Sequence, residues 1–96
     1  MVARERRRFR VRGVVQGVGF RPFVYGLATR HGLAGSVLND GEGVVIDAEG
    51  DAGSLDAFAV TLGDAAPELA RVDSVHVEPL RPRGGSGFAI AASVGG

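Results

Sequence analysis

Between Arg8 and Val14, arginines alternate with Phe9 and Val11, the period-two pattern of a strand with one wet face. The alternation gives way to the glycine-bearing run Val14-Val15-Gln16-Gly17-Val18-Gly19-Phe20-Arg21-Pro22, after which Phe23, Val24, Leu27 and Ala28 recur at helical spacing as far as His31. Pro22 suits the first helical position, and Gly32 is placed to end the helix in a left-handed conformation. Ser36–Asn39 and Val44–Glu49 read as strands joined by the hairpin turn Asp40-Gly41-Glu42-Gly43. Ser54 is a candidate cap for a second helix, whose apolar stripe is Leu55, Phe58, Ala59 and Leu62 before Gly63. A further strand is expected over Arg71–Glu78, with Val75 and Val77 inward and Pro79 stopping it. Pro82 to Gly87 reads as a mobile loop without a chemical role, Phe88 and Ile90 as a short last strand, and Val94-Gly95-Gly96 as a frayed end.

This order predicts an α+β fold: a ferredoxin-like βαββαβ sandwich, an antiparallel sheet with two helices on one face, plus a short extra C-terminal strand. The 96 residues suffice for one domain, spanning 1–96, with 1–6 and 93–96 frayed. The 16 glycines fall mostly at the turns and support the same punctuation.

Composition removes several classes of function. Eleven basic and eleven acidic residues leave no net charge to draw in nucleic acid or a membrane surface. All the basic residues are arginine, and Arg4, Arg6, Arg7, Arg8 and Arg10 crowd the first ten positions, read here as a solvated start and an outward strand face. Without cysteine there is no disulfide, thiolate nucleophile or cysteine-ligated zinc, and His31 and His76 lack ligand-like spacing, so neither metal nor cofactor is expected. No secretion signal or membrane span is visible, which makes the cytoplasm the expected compartment. Asp40, Glu42, Asp47, Glu49 and Asp51 are expected to serve turn formation and solubility, with no general acid–base pair among them.

The candidate chemistry lies in the loop before the first helix. Successive backbone N–H groups in a tight glycine turn can converge on one anion, and a helix N-terminus adds its own unpaired donors. Arg21 is a cation where the helix dipole disfavours one by about 0.3–1 kcal/mol, a cost that a bound anion between them removes.

Taken together, Gly13-x-Val15-Gln16-Gly17-Val18-Gly19-Phe20-Arg21, then Gly35-x-Val37-x-Asn39, then the Gly41–Gly43 turn and its strand, resemble the acylphosphatase family from about Arg7 to Ala92. The continuation Gly19-Phe20-Arg21-Pro22-Phe23-Val24-Tyr25 is similar to the N-terminal acylphosphatase-like domain of hydrogenase-maturation carbamoyltransferases. The resemblance implies hydrolysis of acyl phosphates, with carbamoyl phosphate the expected substrate. It implies that the backbone of Gln16, Gly17, Val18, Gly19 and Phe20, together with Arg21, holds the phosphate, and that Asn39 positions the attacking water. The expected partners are a small acyl phosphate, inorganic phosphate and the other domains of a larger carbamoyltransferase, with a monomer in isolation.

Three other readings compete with this one. A free-standing acylphosphatase would carry the same loop, and a non-catalytic phosphate or effector sensor would bind without turnover. RNA-recognition motifs share the element order, but they stack bases on strand aromatics and Val44–Glu49 contains none.

Overall fold

The computed structural model describes residues 4–91. Its elements are β1 (Arg4–Val14), α1 (Phe20–Arg30), β2 (Ala34–Asn39), β3 (Val44–Asp51), α2 (Ala52–Asp64), β4 (Arg71–Leu80) and β5 (Phe88–Ile90). The strands form one sheet in the order β4-β1-β3-β2-β5, antiparallel except where β5 lies parallel to β2. The expected ferredoxin-like sandwich is therefore present with its extra strand, and that strand makes the sheet mixed.

Cross-strand rows explain why one face carries the core. Phe9 faces Ile46, which faces Val37, and Val11 faces Val44; residues directly opposite point to the same side, and all five side chains are buried. Leu55, Phe58 and Leu62 of α2 and Phe20, Val24, Leu27 and Ala28 of α1 close over them. Phe9 and Phe58 meet edge to face with ring centroids 5.4 Å apart.

Helix boundaries depart from expectation at their starts. Helix α1 begins at Phe20, with Gly19 as its N-cap, so Pro22 sits third rather than first. The first turn's N–H groups have no intrahelical acceptor, which makes a proline there tolerable. At the other end Leu33 N–H donates to the Ala28 carbonyl and Gly32 N–H to that of Thr29, the paired bonds of a Schellman motif. Helix α2 begins at Ala52 after Asp51, two residues before Ser54 becomes available as a cap.

Fraying does not reach Arg4–Arg6, which pair with Gly50, Asp51 and Glu49 of β3; 1–3 and 92–96 lie outside the described residues. Strand β4 runs through Pro79, whose missing N–H is tolerable on an edge strand. Val75 and Val77 do sit on the core-facing side, opposite Val11 and Phe9, yet they remain 38% and 44% exposed. The helices lean mainly on β1, β2, β3 and β5, and β4, at the sheet edge, stays mostly exposed.

The segment expected to be mobile is instead a fastened crossover. Strands β4 and β5 occupy opposite edges, so the seven residues 81–87 must traverse four inter-strand spacings, roughly 19 Å. Their extended reach is only about 23–25 Å, which leaves little slack. Glu49, 4% exposed, accepts the N–H groups of Arg83 and Gly84 at 3.1 and 2.8 Å and an ion pair from Arg4 at 2.7 Å. Arg6 donates to the Arg81 carbonyl and Arg4 to that of Gly85. The Arg4 guanidinium, then the loop amides, hold the Glu49 carboxyl at about 2, against a smaller opposing effect of burial. Asp47 is bonded by Arg6 and Arg8; burial would raise its pKa, but those two arginines prevail and lower it. Asp47 and Glu49 are therefore structural partners of the arginine row, and the row is no plain solvated face: Arg6 is buried and Arg7 turns to Asp56 on α2.

Candidate active site

Strand β1 is antiparallel to β3 and β3 to β2, so β1 and β2 run in the same direction and their C-terminal ends share one end of the sheet. Two sequence-distant segments lie at that end as a consequence: the loop that leaves β1 and enters α1, and Asn39 at the last position of β2, with β3 between the two strands.

Apolar side chains anchor the loop from below. Val15 and Phe20 are buried at its two ends and Val18 packs against the core, while Gln16, Gly17 and Gly19 are exposed. Gly17 and Gly19 have φ of +72° and +80°, with no atom within 4 Å of where a Cβ would stand. They are needed for the left-handed backbone rather than for want of room, and the space above them is open to a ligand. Helix α1 has no side-chain cap bond at Gly19 and no acidic residue in its first turn, so its positive end is not answered by a carboxylate of its own turn. Arg21 is the second residue of α1 and half-buried.

Asn39 faces Val44, which faces Val11, and those two valines are buried on the helix side of the sheet. The amide therefore lies on the same side of the sheet as α1. Its Oδ1 is buried and has no hydrogen-bond partner among the described residues. An unsatisfied buried acceptor costs about 1–3 kcal/mol, so this atom is free to accept from a water or a ligand donor.

Cavities of about 240 and 270 Å³ lie elsewhere, one beneath the crossover beside Arg6, Ser36 and Glu49, the other between α1 and α2 beside Phe23, Leu27 and Thr61. The loop is instead an exposed rim at Gln16, Gly17 and Gly19. Such a rim can hold a phosphoryl group while leaving the remainder of a substrate in solvent.

Residues 7–90 match the model of the Acylphosphatase family. The chain belongs to the acylphosphatase family. It is 53% identical over 91 residues to the "Carbamoyltransferase HypF" of Rhizobium leguminosarum bv. viciae, covering 95% of this chain and 12% of that protein. Among solved structures, full-length HypF in its phosphate- and nucleotide-bound form superposes with a TM-score of 0.95 at 32% identity, over 99% of this chain and 13% of that one. The acylphosphatase of Bacillus subtilis superposes with a TM-score of 0.82 at 35% identity, over 93% of this chain and 99% of that one. The chain is thus an acylphosphatase domain similar both to free-standing acylphosphatases and to a small part of the much longer carbamoyltransferases. Among the described residues no group of histidines and carboxylates is arranged to hold a metal ion, and no helix is long and apolar enough to cross a membrane.

Proposed function

We propose that this domain hydrolyses acyl phosphates at the rim formed by residues 16–21 and Asn39, with carbamoyl phosphate as its substrate, within a cytoplasmic hydrogenase-maturation carbamoyltransferase. The observation that carries this reading is the partnerless, buried Oδ1 of Asn39 at the same end of the sheet as a left-handed glycine loop and an uncapped helix N-terminus. The similarity to HypF over nearly the whole chain supports the choice of substrate and setting.

The chemistry asks little of the protein. In an acyl phosphate the leaving group is a carboxylate or carbamate, already a weak base, so no strong general acid is required. Phosphoryl transfer then depends on positioning and on stabilising charge at the equatorial oxygens. The backbone N–H groups of Gln16, Gly17, Val18, Gly19 and Phe20 meet those oxygens together with the forked guanidinium of Arg21. Asn39 accepts a hydrogen bond from the attacking water through Oδ1 and aligns it with the leaving oxygen. The amide is too weak a base to take the proton early, so the substrate's own phosphate receives it late, without a metal or a phosphoenzyme. Phosphate and carbamate are released, the latter to a neighbouring domain.

The deciding experiment measures turnover of carbamoyl phosphate and of an aryl acyl phosphate in the presence of a chelator. The parent should turn over both. Arg21→Ala should lower both phosphate binding and kcat, with only partial rescue by Arg21→Lys, because a point charge does not reproduce the fork. Asn39→Ala should lower kcat more than it weakens phosphate binding. Saturable phosphate binding without turnover would replace the enzyme by a sensor, and dependence on a divalent ion would overturn the mechanism.

A further inference from the structure

The Asn39 amide is useful only if the strand end that carries it is held still, and the fastening that does so is local. Asp40 follows Asn39 directly and closes the β2–β3 turn in two ways. Its N–H donates to the Gly43 carbonyl at 3.2 Å, and its carboxylate Oδ1 accepts the N–H groups of Glu42 and Gly43, both at 3.0 Å. Gly43 is itself clamped: a Cβ there would lie 2.1 Å from the Val11 carbonyl oxygen, so the turn is seated directly against β1. Val11 is the residue whose row runs through Val44 to Asn39. A continuous path therefore links the strand that feeds the phosphate loop, the turn and the amide, and among the described residues the Asp40 side chain fastens it next to Asn39.

We infer that Asp40 is a positioning residue for the reaction, holding the Asn39 amide in register with the phosphate loop through the two N–H bonds to its Oδ1. This rests on the proposed role of Asn39. The other side-chain link at the turn, the Arg12–Glu42 ion pair at 2.7 Å, has both partners more than 60% exposed and contributes little to such a constraint. The feature that matters is the acceptor geometry of Asp40 rather than its charge, because an asparagine at this position offers the same Oδ1 to the same two donors.

The test compares kcat and KM for an aryl acyl phosphate in Asp40→Ala, Asp40→Asn, Glu42→Ala, Asn39→Ala and the double variant Asp40→Ala/Asn39→Ala, with the folded fraction of each followed by circular dichroism. A misplacement of 1 Å can cost about 100-fold in rate. Asp40→Ala should therefore lose at least about tenfold in kcat with KM within about twofold of the parent, and Asp40→Asn should recover most of it. Glu42→Ala should match the parent. In the Asn39→Ala background, Asp40→Ala should cause no further loss, since a residue that acts through the amide has nothing to act on once the amide is gone. Parental kcat in Asp40→Ala, a loss that merely follows the folded fraction, additive losses in the double variant, or failure of Asp40→Asn to rescue would each overturn the inference. Parental kcat in Asn39→Ala would instead remove the role of Asn39 on which it rests.

Discussion

Gly19→Ala separates backbone conformation from space in the loop proposed to hold phosphate. Gly19 adopts φ 80° and ψ 17°, and an added Cβ would meet nothing within 4 Å. Sterics with the surroundings therefore contribute nothing, and the whole cost is that of placing an L-residue in the left-handed region, about 1–2 kcal/mol. That cost must appear in one of two observables. If alanine keeps the left-handed geometry, the folded state is strained and Tm falls by about 4–8 °C per kcal/mol, with phosphate affinity retained. If the loop relaxes to negative φ, the N–H groups at the start of α1 turn away from the anion, and phosphate affinity falls by roughly 5- to 30-fold. Gly26→Ala provides the contrast: it is mid-helix in α1, has no left-handed φ and is equally open, so alanine should stabilise by about 0.8–1.0 kcal/mol. The assay is thermal unfolding of both variants alongside calorimetric titration with phosphate. Parental Tm together with parental affinity in Gly19→Ala would refute the reasoning, as would both variants shifting Tm upward.

Two further outcomes follow from the clasp and the core. Glu49 has its pKa lowered from 4.5 to about 2 in the folded protein, so between those values the unfolded chain binds more protons than the folded one and stability rises with pH. The contribution is complete above about pH 4.5 and is lost as pH falls towards 2, so a plot of Tm against pH should bend downward in that window, and the bend should be weaker in Glu49→Gln, checked by calorimetry. Phe58→Ala removes a fully buried ring that meets Phe9 edge to face and should cost about 3–5 kcal/mol in urea unfolding. Val77→Thr, on the same side of the sheet but 44% exposed, should stay within about 0.5 kcal/mol of the parent.

Much of the fold is legible in local pattern because its causes are local. The alternation around Phe9 and Val11, the stripe Leu55-Phe58-Leu62 and the glycine after α1 each act within a few residues, where side-chain period and terminal hydrogen bonds decide the element. The loop of Gln16 to Arg21 was readable for the same reason, since its glycines and the helix start are contiguous. Asn39 was legible through resemblance alone; its local chemistry reads equally well as a turn former. Where local signals misplaced an element the errors were of boundary, as with Pro22 and Ser54, since a first helical turn accepts either residue at more than one position. The segment 82–87 and the arginine row were instead misjudged in kind, because their partners lie far along the chain.

The order of apolar, polar and glycine positions by itself determined the sequence of strands and helices and the presence of a glycine loop before the first helix, because those depend on interactions between near neighbours. Tertiary structure alone decided the rest. Glu49, buried, and Asp47, half-buried, became partners of arginines some forty residues away, and a seven-residue link became a taut strap because β4 and β5 ended on opposite edges. Val75 and Val77 stayed half-wet because the helices lean mainly on β1, β2, β3 and β5 and β4 is an edge strand. Asn39 arrived at the same end of the sheet as the loop before α1 because β1 and β2 point the same way on either side of β3. Strand order and register are set by the sum of burial over the whole sheet, so no window along the chain contains them.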